Sequence, residues 1–403
     1  MYVKIYIGSG FVERIIMHID VNNAFLSWTA IDLLNNGYKY DIRNSYAVIG
    51  GDENRRCGIV LAKSNPCKKL GIKTADTLYS ARTKCRVLKV FPPNFEFYHK
   101  MSTSMFQIIS KYTPDIEVAS IDECYVDYGK CKFINGEPLE FAKKLQKEIY
   151  DTLGFTVNIG IANNKLCAKM ASDFSKPYKI HTLFSYEVEE KMYPLEIGNL
   201  FGIGKKSVPK LHELGIKTIG DLANYDEKKL TIFFKNQAKS MIMSAKGLDD
   251  SEVVSEEHDP KSISNTTTLV KDITELDSAY DELRKIAENV AGALRKENKY
   301  AYVIAVITKS NNFISKTHQT KLVNPTNIGL DIYKKAKQLF KEMWEGEPVR
   351  LIGIRLDNLV DNYGYQANIF ENVEEKIKLE KLEKIVDDIK RKYGEKSIKI
   401  GKF

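Results

Sequence analysis

The sequence is poor in the residues that build redox and zinc motifs. Its six cysteines, Cys57, Cys67, Cys85, Cys124, Cys131 and Cys167, form no CxxC pair, which argues against a zinc ribbon or a dithiol centre. Their loose spacing reads as reduced thiols of a cytoplasmic chain. No apolar run approaches the ~20 residues that cross a bilayer. Residues 1–14 lack the apolar core of a secretory signal, so neither membrane insertion nor export is expected. Collagen-like, coiled-coil and low-complexity tracts are absent. What remains is a chain of 403 residues, 43% hydrophobic and 28% charged, a composition that supports about two to four folded domains.

Charge of one sign is also scarce in total but not in places. The formal net charge is +8, a modest surplus shared by many proteins with no anionic partner. Between Arg55 and Lys89, however, ten basic residues face a single acid, Asp76, a local balance of +9. A second window, Asn298 to Leu330, contains Lys299, Lys309, Lys316 and Lys321 and no acid. Both windows are interleaved with Tyr, Phe or small polar residues, a pattern suited to phosphate contact.

The periodicity predicts a buried strand at Ile15–Asp20, a helix at Asn22–Leu34, strands at Tyr46–Ile49 and Ile59–Ala62, and helices at Pro66–Leu70 and Thr77–Leu88. Phe95–Tyr98 reads as a strand and Met101–Tyr112 as a helix. Strands at Ile116–Ser120 and Cys124–Tyr128 flank a turn at Ile121-Asp122-Glu123. A helix at Leu139–Leu153, a strand at Thr156–Ile161 and a helix at Asn164–Phe174 follow. From Glu187 to Leu248 the chain reads as helical. Asp249–Lys261, acidic and broken by Pro260, reads as a linker. Beyond it the order is strand, helix, strand, strand, helix, strand, one split βαβ domain, and a charged helix begins near Asn372.

The residues that can carry chemistry are Asp20, at the end of the first apolar strand, and Asp122 with Glu123, at the turn of an apolar hairpin. Each alone is an ordinary turn acid. Embedded in apolar strands, three carboxylates that converge repel one another and are costly to desolvate. A hard divalent cation such as Mg²⁺ resolves that conflict, and a pair of such ions forms the clamp of phosphoryl chemistry.

Four segments in order, IDVNNAFLSW (Ile19–Trp28), VLAKSNPCKKLGIKT (Val60–Thr74), VASIDECYVDY (Val118–Tyr128) and IGIANNKLCAKMASDFSKP (Ile159–Pro177), resemble the Y family of translesion DNA polymerases, in its bacterial branch of the polymerase IV and polymerase V catalytic-subunit type and its Gram-positive relatives. The resemblance implies an α+β multidomain fold, a right hand of palm, fingers and helical thumb with a split βαβ little finger. It places a discontinuous palm at 1–23 and 94–183, fingers at 24–93, a thumb with a helix-hairpin-helix at 184–250, a linker at 251–261, the little finger at 262–360, and a clamp-binding peptide with its tail at 361–403. It implies a template-dependent, low-fidelity DNA polymerase of the DNA damage response. Such an enzyme uses two Mg²⁺ ions and dNTPs, lacks proofreading, and is cytoplasmic and monomeric. On this pattern Asp20, Asp122, Glu123 and the backbone carbonyl of Val21 hold metal. Phe25 is the steric gate that excludes a 2′-hydroxyl, and Lys176 contacts the triphosphate while Asp173 holds local structure.

One stretch departs from the family pattern. Where many members carry Tyr and, three residues on, Arg, this chain has Asn65 and Lys68. Lys keeps the positive charge but not the planar fork of Arg. In LFGIGKKSVPKL, Gly202 and Gly204 with Lys205 and Lys206 resemble a helix-hairpin-helix contact with a DNA backbone. Lys309, Lys316 and Lys321 would face DNA from the little finger. Gln366, Ile369 and Phe370 resemble the peptide by which bacterial polymerases hold the sliding clamp. Two other readings stay open at this stage: another two-metal nucleotidyl enzyme on a palm-like sheet, such as a cyclase, and a non-catalytic DNA-binding scaffold.

Overall fold

A two-stranded ladder, β1 (Tyr6–Ile7) with β2 (Gly10–Phe11), precedes β3 (Ile16–Val21), the apolar run that ends in Asp20 and Val21. The computed structural model describes residues 6–7, 10–11, 14–53, 56, 58–256, 259–361, 373–394 and 397–398. Two units divide the chain: residues 1–51 with 59–257, and residues 52–58 with 258–403.

In the first unit β3 leads into α1 (Ala24–Asn35). A three-stranded sheet follows, β4 (Ala47–Gly50) between β5 (Val60–Lys63) and β6 (Lys89–Phe91), with α2 (Asn65–Lys69) and α3 (Leu78–Lys84) around it. Ser64 and Thr77 cap the two helices by accepting from the Cys67 and Ser80 amides. Then come α4 (Phe95–Ser110), β7 (Ile116–Val118), β8 (Glu123–Asp127), α5 (Lys132–Asn135), α6 (Pro138–Leu153), β9 (Val157–Ala162), α7 (Lys165–Asp173) and β10 (Ile180–Leu183). Their sheet has the order β10-β9-β3-β8-β7, so β3, read first from the sequence, is its central strand. Alternate residues of β3 serve two layers. Met17, Ile19 and Val21 pack with Tyr98, Met105, Phe141 and Ile149 of α4 and α6, while Ile16 joins the core under α7. Helix α7 lies unusually close to β9, because a Cβ on Gly160 would fall 2.0 Å from the Ala168 carbonyl oxygen.

The expected strand at Phe95–Tyr98 is instead the first turn of α4. Asn94 caps it by accepting from the Phe97 amide, and Tyr98, Met101, Met105, Ile108 and Ile109 form one buried helical stripe. The alternating Phe95–Glu96–Phe97 imitates a strand only over that turn. The reading also missed the short strands β6 and β10.

Short helices α8 (Val188–Lys191), α9 (Ser207–Glu213), α10 (Ile219–Ala223), α11 (Glu227–Phe234) and α12 (Gln237–Ala245) follow, packed around Leu211, Leu222, Leu230 and Ile242. The second unit contains β11 (Ser262–Ile273), α13 (Leu276–Lys296), β12 (Tyr300–Ser310), β13 (Ser315–Thr326), α14 (Gly329–Met343), β14 (Val349–Val360) and α15 (Val373–Tyr393). Its sheet order is β11-β14-β12-β13, antiparallel throughout. β14 therefore lies between β11 and β12, and β12 between β13 and β14, which makes two interleaved split βαβ units. The helices α13 and α14 cover one face of it, over Ile304, Val306, Ile352 and Ile354.

Candidate active site

Asp20 and Glu123 stand directly opposite each other on the antiparallel pair β3–β8. Asp122 occupies the turn before β8. Its carbonyl accepts the Val21 amide at 3.0 Å, and its carboxylate accepts the Ser120 hydroxyl at 2.7 Å. Register and turn together bring all three acids to one end of the central strand. Like charges opposite each other destabilise a strand pair, and Asp122 shows the strain of the arrangement. Burial, with the negative charges of Asp20 and Glu123, raises its carboxyl above the ordinary range despite the Ser120 bond.

Two lysines of the α7 segment offset the acids. Lys169 Nζ is 2.7 Å from Glu123 Oε2 and 3.2 Å from Asp20 Oδ2. Lys176 Nζ is 2.9 Å from Asp20 Oδ1 and 2.9 Å from Asp173 Oδ1. Burial alone would lower the Lys169 ammonium, but its bond to Glu123 and the charges of Asp20 and Asp173 prevail and raise it. Lys176 is raised in the same way, against burial, by Asp20 and Asp173. Glu123 is lowered to about 2 by His18 beside it and, against burial, by Lys169. The His18 ring is itself lowered by burial. Its Nε2 lies 3.4 Å from Glu123 Oε2.

Among the described residues no three His, Cys, Asp or Glu side chains close on one point as a finished metal cage. Here two ammonium groups stand among the carboxylates. The donor set nonetheless suits a hard divalent ion: it is all oxygen, and it carries more negative charge than the two lysines balance.

The sequence reading missed Lys169, His18 and the amide network beside them. Asn22 Nδ2 donates to Asn158 Oδ1 at 3.1 Å and Asn22 Oδ1 accepts from the Tyr178 amide, while Asn158 Nδ2 donates to the Ser172 and Ser175 carbonyls. These bonds fix the loop that carries Lys176 to the end of β3. The i,i+4 spacing of Lys169 and Asp173 on α7 is the signal the sequence carries, and Lys176 lies past the end of that helix.

Phe25, on α1, stacks on Tyr98 with ring centroids 4.9 Å apart and planes 9° off parallel, and Phe95 meets it edge-on at 5.9 Å. Its ring is thus fixed from behind while the side chain stays partly exposed. Asn65 and Lys68 lie exposed on α2. The neighbouring Lys63 ammonium is lowered by burial and by the charge of Lys68, against the opposing charge of Asp76.

Residues 19–173 match the impB/mucB/samB family and residues 260–369 the impB/mucB/samB family C-terminal domain. The DNA polymerase IV of Clostridium acetobutylicum is 44% identical over 387 residues, 96% of this chain and 97% of that protein. DNA polymerase IV 1 of Bacillus subtilis is 33% identical over 96% of this chain and 93% of its own. This chain belongs to the Y family of DNA polymerases. Among solved structures, the Y-family DNA polymerase chimera Dbh-Dpo4(243-245)-Dbh matches 86% of the chain and all of its own with a TM-score of 0.76 at 26% identity. An insertion ternary complex of Dbh DNA polymerase matches the same share at a TM-score of 0.60.

In this Y-family polymerase the remaining expected residues separate into two groups. Gly202 has φ +92°, a conformation that favours glycine, and a Cβ on Gly202 or Gly204 would meet nothing within 4 Å. Lys205 and Lys206 are exposed beside them, but α9 starts only at Ser207. On the sheet face not covered by α13 and α14, the register aligns Lys309 with Leu351 and Ser315, Val303 with Lys321, and Ala305 with Arg355. Lys316 does not join them. It lies on the opposite face, with Nζ 2.7 Å from Glu345 and 2.9 Å from Glu347. Gln366, Ile369 and Phe370 lie outside the described residues.

Proposed function

We propose that this Y-family DNA polymerase extends primers past damaged template bases, and that its active site is the carboxylate end of β3 and β8. The observation that carries the reading is the convergence of Asp20, Asp122 and Glu123 beside Lys176, with Phe25 at the start of the helix that follows β3. Asp20, Asp122, Glu123 and the Val21 carbonyl would hold divalent magnesium, two ions on the family's pattern. Bound there, the metal supplies Lewis-acid stabilisation of the phosphoryl charge and eases deprotonation of the primer hydroxyl. The chain's own contribution is positioning and charge. Lys176, held by the Asn22–Asn158 network, is placed to meet the triphosphate, with Lys68 and Asn65 approaching from α2. Phe25, backed by Tyr98, closes the space beside a 2′-carbon. Pyrophosphate leaves as the primer oxygen attacks the α-phosphorus.

The exposed glycines and lysines at 202–206 and the face bearing Lys309, Lys321 and Arg355 suit contact with the phosphates of primer–template DNA, without base readout. Lys316, paired with two acids, is left out of that surface. Gln366, Ile369 and Phe370 fit a sliding-clamp peptide, and on the family's pattern the enzyme works as a monomer in the cytoplasm. Membership of the family removes the footing of the cyclase and scaffold readings.

Primer extension tests the proposal. With Mg²⁺ and dNTPs, extension is expected on undamaged and abasic templates. Asp122→Ala should lose roughly 10³-fold or more in rate, the scale of several kcal/mol of metal-assisted stabilisation, with primer–template binding retained. Extension by that variant at the normal rate, or arrest at every lesion, defeats it.

A further inference from the structure

The segment after α12 does not behave as a free linker. Gly247 O accepts from Asn164 Nδ2 at 2.8 Å, and Asp249 Oδ2 accepts the Leu166 amide at 3.1 Å. Asp249 also turns the chain by accepting from the Ser251 amide and hydroxyl. The Ser251 carbonyl accepts from Arg14, and the Glu252 carbonyl accepts from Lys165 Nζ at 3.3 Å. The last bond is from the Val254 amide to Glu117 Oε2, 2.9 Å. Val253 packs partly buried into the core under α7. Residues 247–254 thus form a strap across the start of α7 and the edge strand β7.

Glu117 is the end-stop of that strap. Lys165 Nζ lies 2.6 and 2.7 Å from its two oxygens and 5.0 Å from the centre of the Tyr125 ring. The side chains of Lys165 and Glu117 are 16% and 25% exposed, so the pair is largely withdrawn from water. No step of the polymerase reaction assigned above uses either residue.

We propose that Glu117 is a positioning residue that shortens the tether of the C-terminal domain. Asp259 is already bonded to Lys299 of the C-terminal domain, at 2.6 Å, so with the strap held the tether runs over 255–258, four residues; released from Leu248 it would run over 248–258, eleven. At ~3.5 Å per residue the maximum reach nearly triples, from roughly 14 to roughly 39 Å. Effective concentration of a tethered module falls about as the −3/2 power of length, so this lengthening lowers it by roughly three- to fivefold, depending on whether the Asp249 bond is also lost. The consequence rests on the reading that the C-terminal domain holds DNA for the catalytic unit. Glu117 then sets grip on DNA without touching the chemistry.

The test uses the full chain with Glu117→Ala and, as a fuller release, the double variant Glu117→Ala with Asp249→Ala, with Lys165→Arg as the conservative control. Hydrogen exchange without DNA should accelerate at residues 251–256 in both released variants and stay unchanged in Lys165→Arg. Primer–template Kd should rise roughly three- to fivefold in the released variants, with the single-turnover rate at saturating DNA unchanged. A strap equally protected in all variants overturns the structural claim. A released strap with unchanged Kd overturns the tether claim. Lys309→Glu, which leaves the strap alone, separates that result from failure of the DNA-holding reading: if it weakens binding while release does not, only the tether falls.

Discussion

Lys169 Nζ is 2.7 Å from Glu123 Oε2, on the side of the carboxylate that also faces Asp20. A lysine so placed holds two like charges together before any cation arrives. Removing one partner of a withdrawn ion pair leaves the other uncompensated, at a cost of several kcal/mol. Lys169→Met is expected to lower stability in EDTA by about 2–3 kcal/mol, a figure at or below the range for buried pairs because Glu123 is partly exposed. Added Mg²⁺ should restore more stability to the variant than to the parent, since the ion then replaces a missing charge. Thermal unfolding with and without Mg²⁺ reads this directly, and an equal deficit in both buffers would show that Lys169 serves packing alone.

The stack of Phe25 on Tyr98 predicts a graded loss of sugar selectivity. Phe25→Ala opens the space the ring fills, and discrimination between dNTP and rNTP should fall by roughly 10–200-fold, the scale of a steric contact in an apolar pocket. Tyr98→Leu leaves the gate ring in place but removes its backing, so a smaller loss is expected. Single-nucleotide insertion with matched dNTP and rNTP measures both. Unchanged selectivity in Phe25→Ala would move the gate elsewhere.

These residues differ in how far the sequence reveals them. Asp20 was legible because an apolar run ends in an acid, and Asp122-Glu123 because a polar pair interrupts an apolar hairpin. Lys169 was hidden because its role depends on α7 approaching β9 at Gly160, a long-range fact. The Phe25–Tyr98 stack was obscured by reading the start of α4 as a strand. Lys316 could have been separated from Lys321, since five residues apart along a strand means opposite faces. That Lys309 shares a face with Lys321 needed the register of β12 on β13.

Acid should unfold the metal-free protein partly through Glu123. Its carboxyl is held at about 2 by His18 and Lys169, against about 4.3 in an unfolded chain. A carboxylate depressed in the fold stabilises above its unfolded value, and that contribution is lost as pH falls from about 4.3 toward 2. Asp122 has the opposite sign. Its raised carboxyl makes the ionised form less favourable in the fold, so protonation relieves the fold at higher pH. Urea midpoints in EDTA should therefore drop below about pH 4 more steeply for the parent than for Glu123→Gln. Parallel curves for the two proteins would remove Glu123 from the acid response.

Helix α15 docks on its own domain through carboxylates that converge on Arg295. Arg295 donates to Glu383, to Asp387 Oδ2 at 2.5 Å and to the Asn327 carbonyl at 2.8 Å. Glu383 also accepts the Gly329 amide, 2.9 Å away at the start of α14, and Tyr300 donates to Glu380 at 2.8 Å. Arg295 is 7% exposed and Glu383 16%, so removal of the arginine leaves a largely withdrawn carboxylate without its counter-charge. Arg295→Met should destabilise the C-terminal domain by about 3 kcal/mol and release α15, seen as lost hydrogen-exchange protection over residues 379–393. Arg295→Met with Glu383→Gln should recover part of that loss, because the second change removes the stranded charge. The coupling should lie between about 0.5 and 3 kcal/mol, as for residues in one ion-pair network. Strictly additive single and double variants would mean that apolar contact, not the carboxylate clamp, holds the helix.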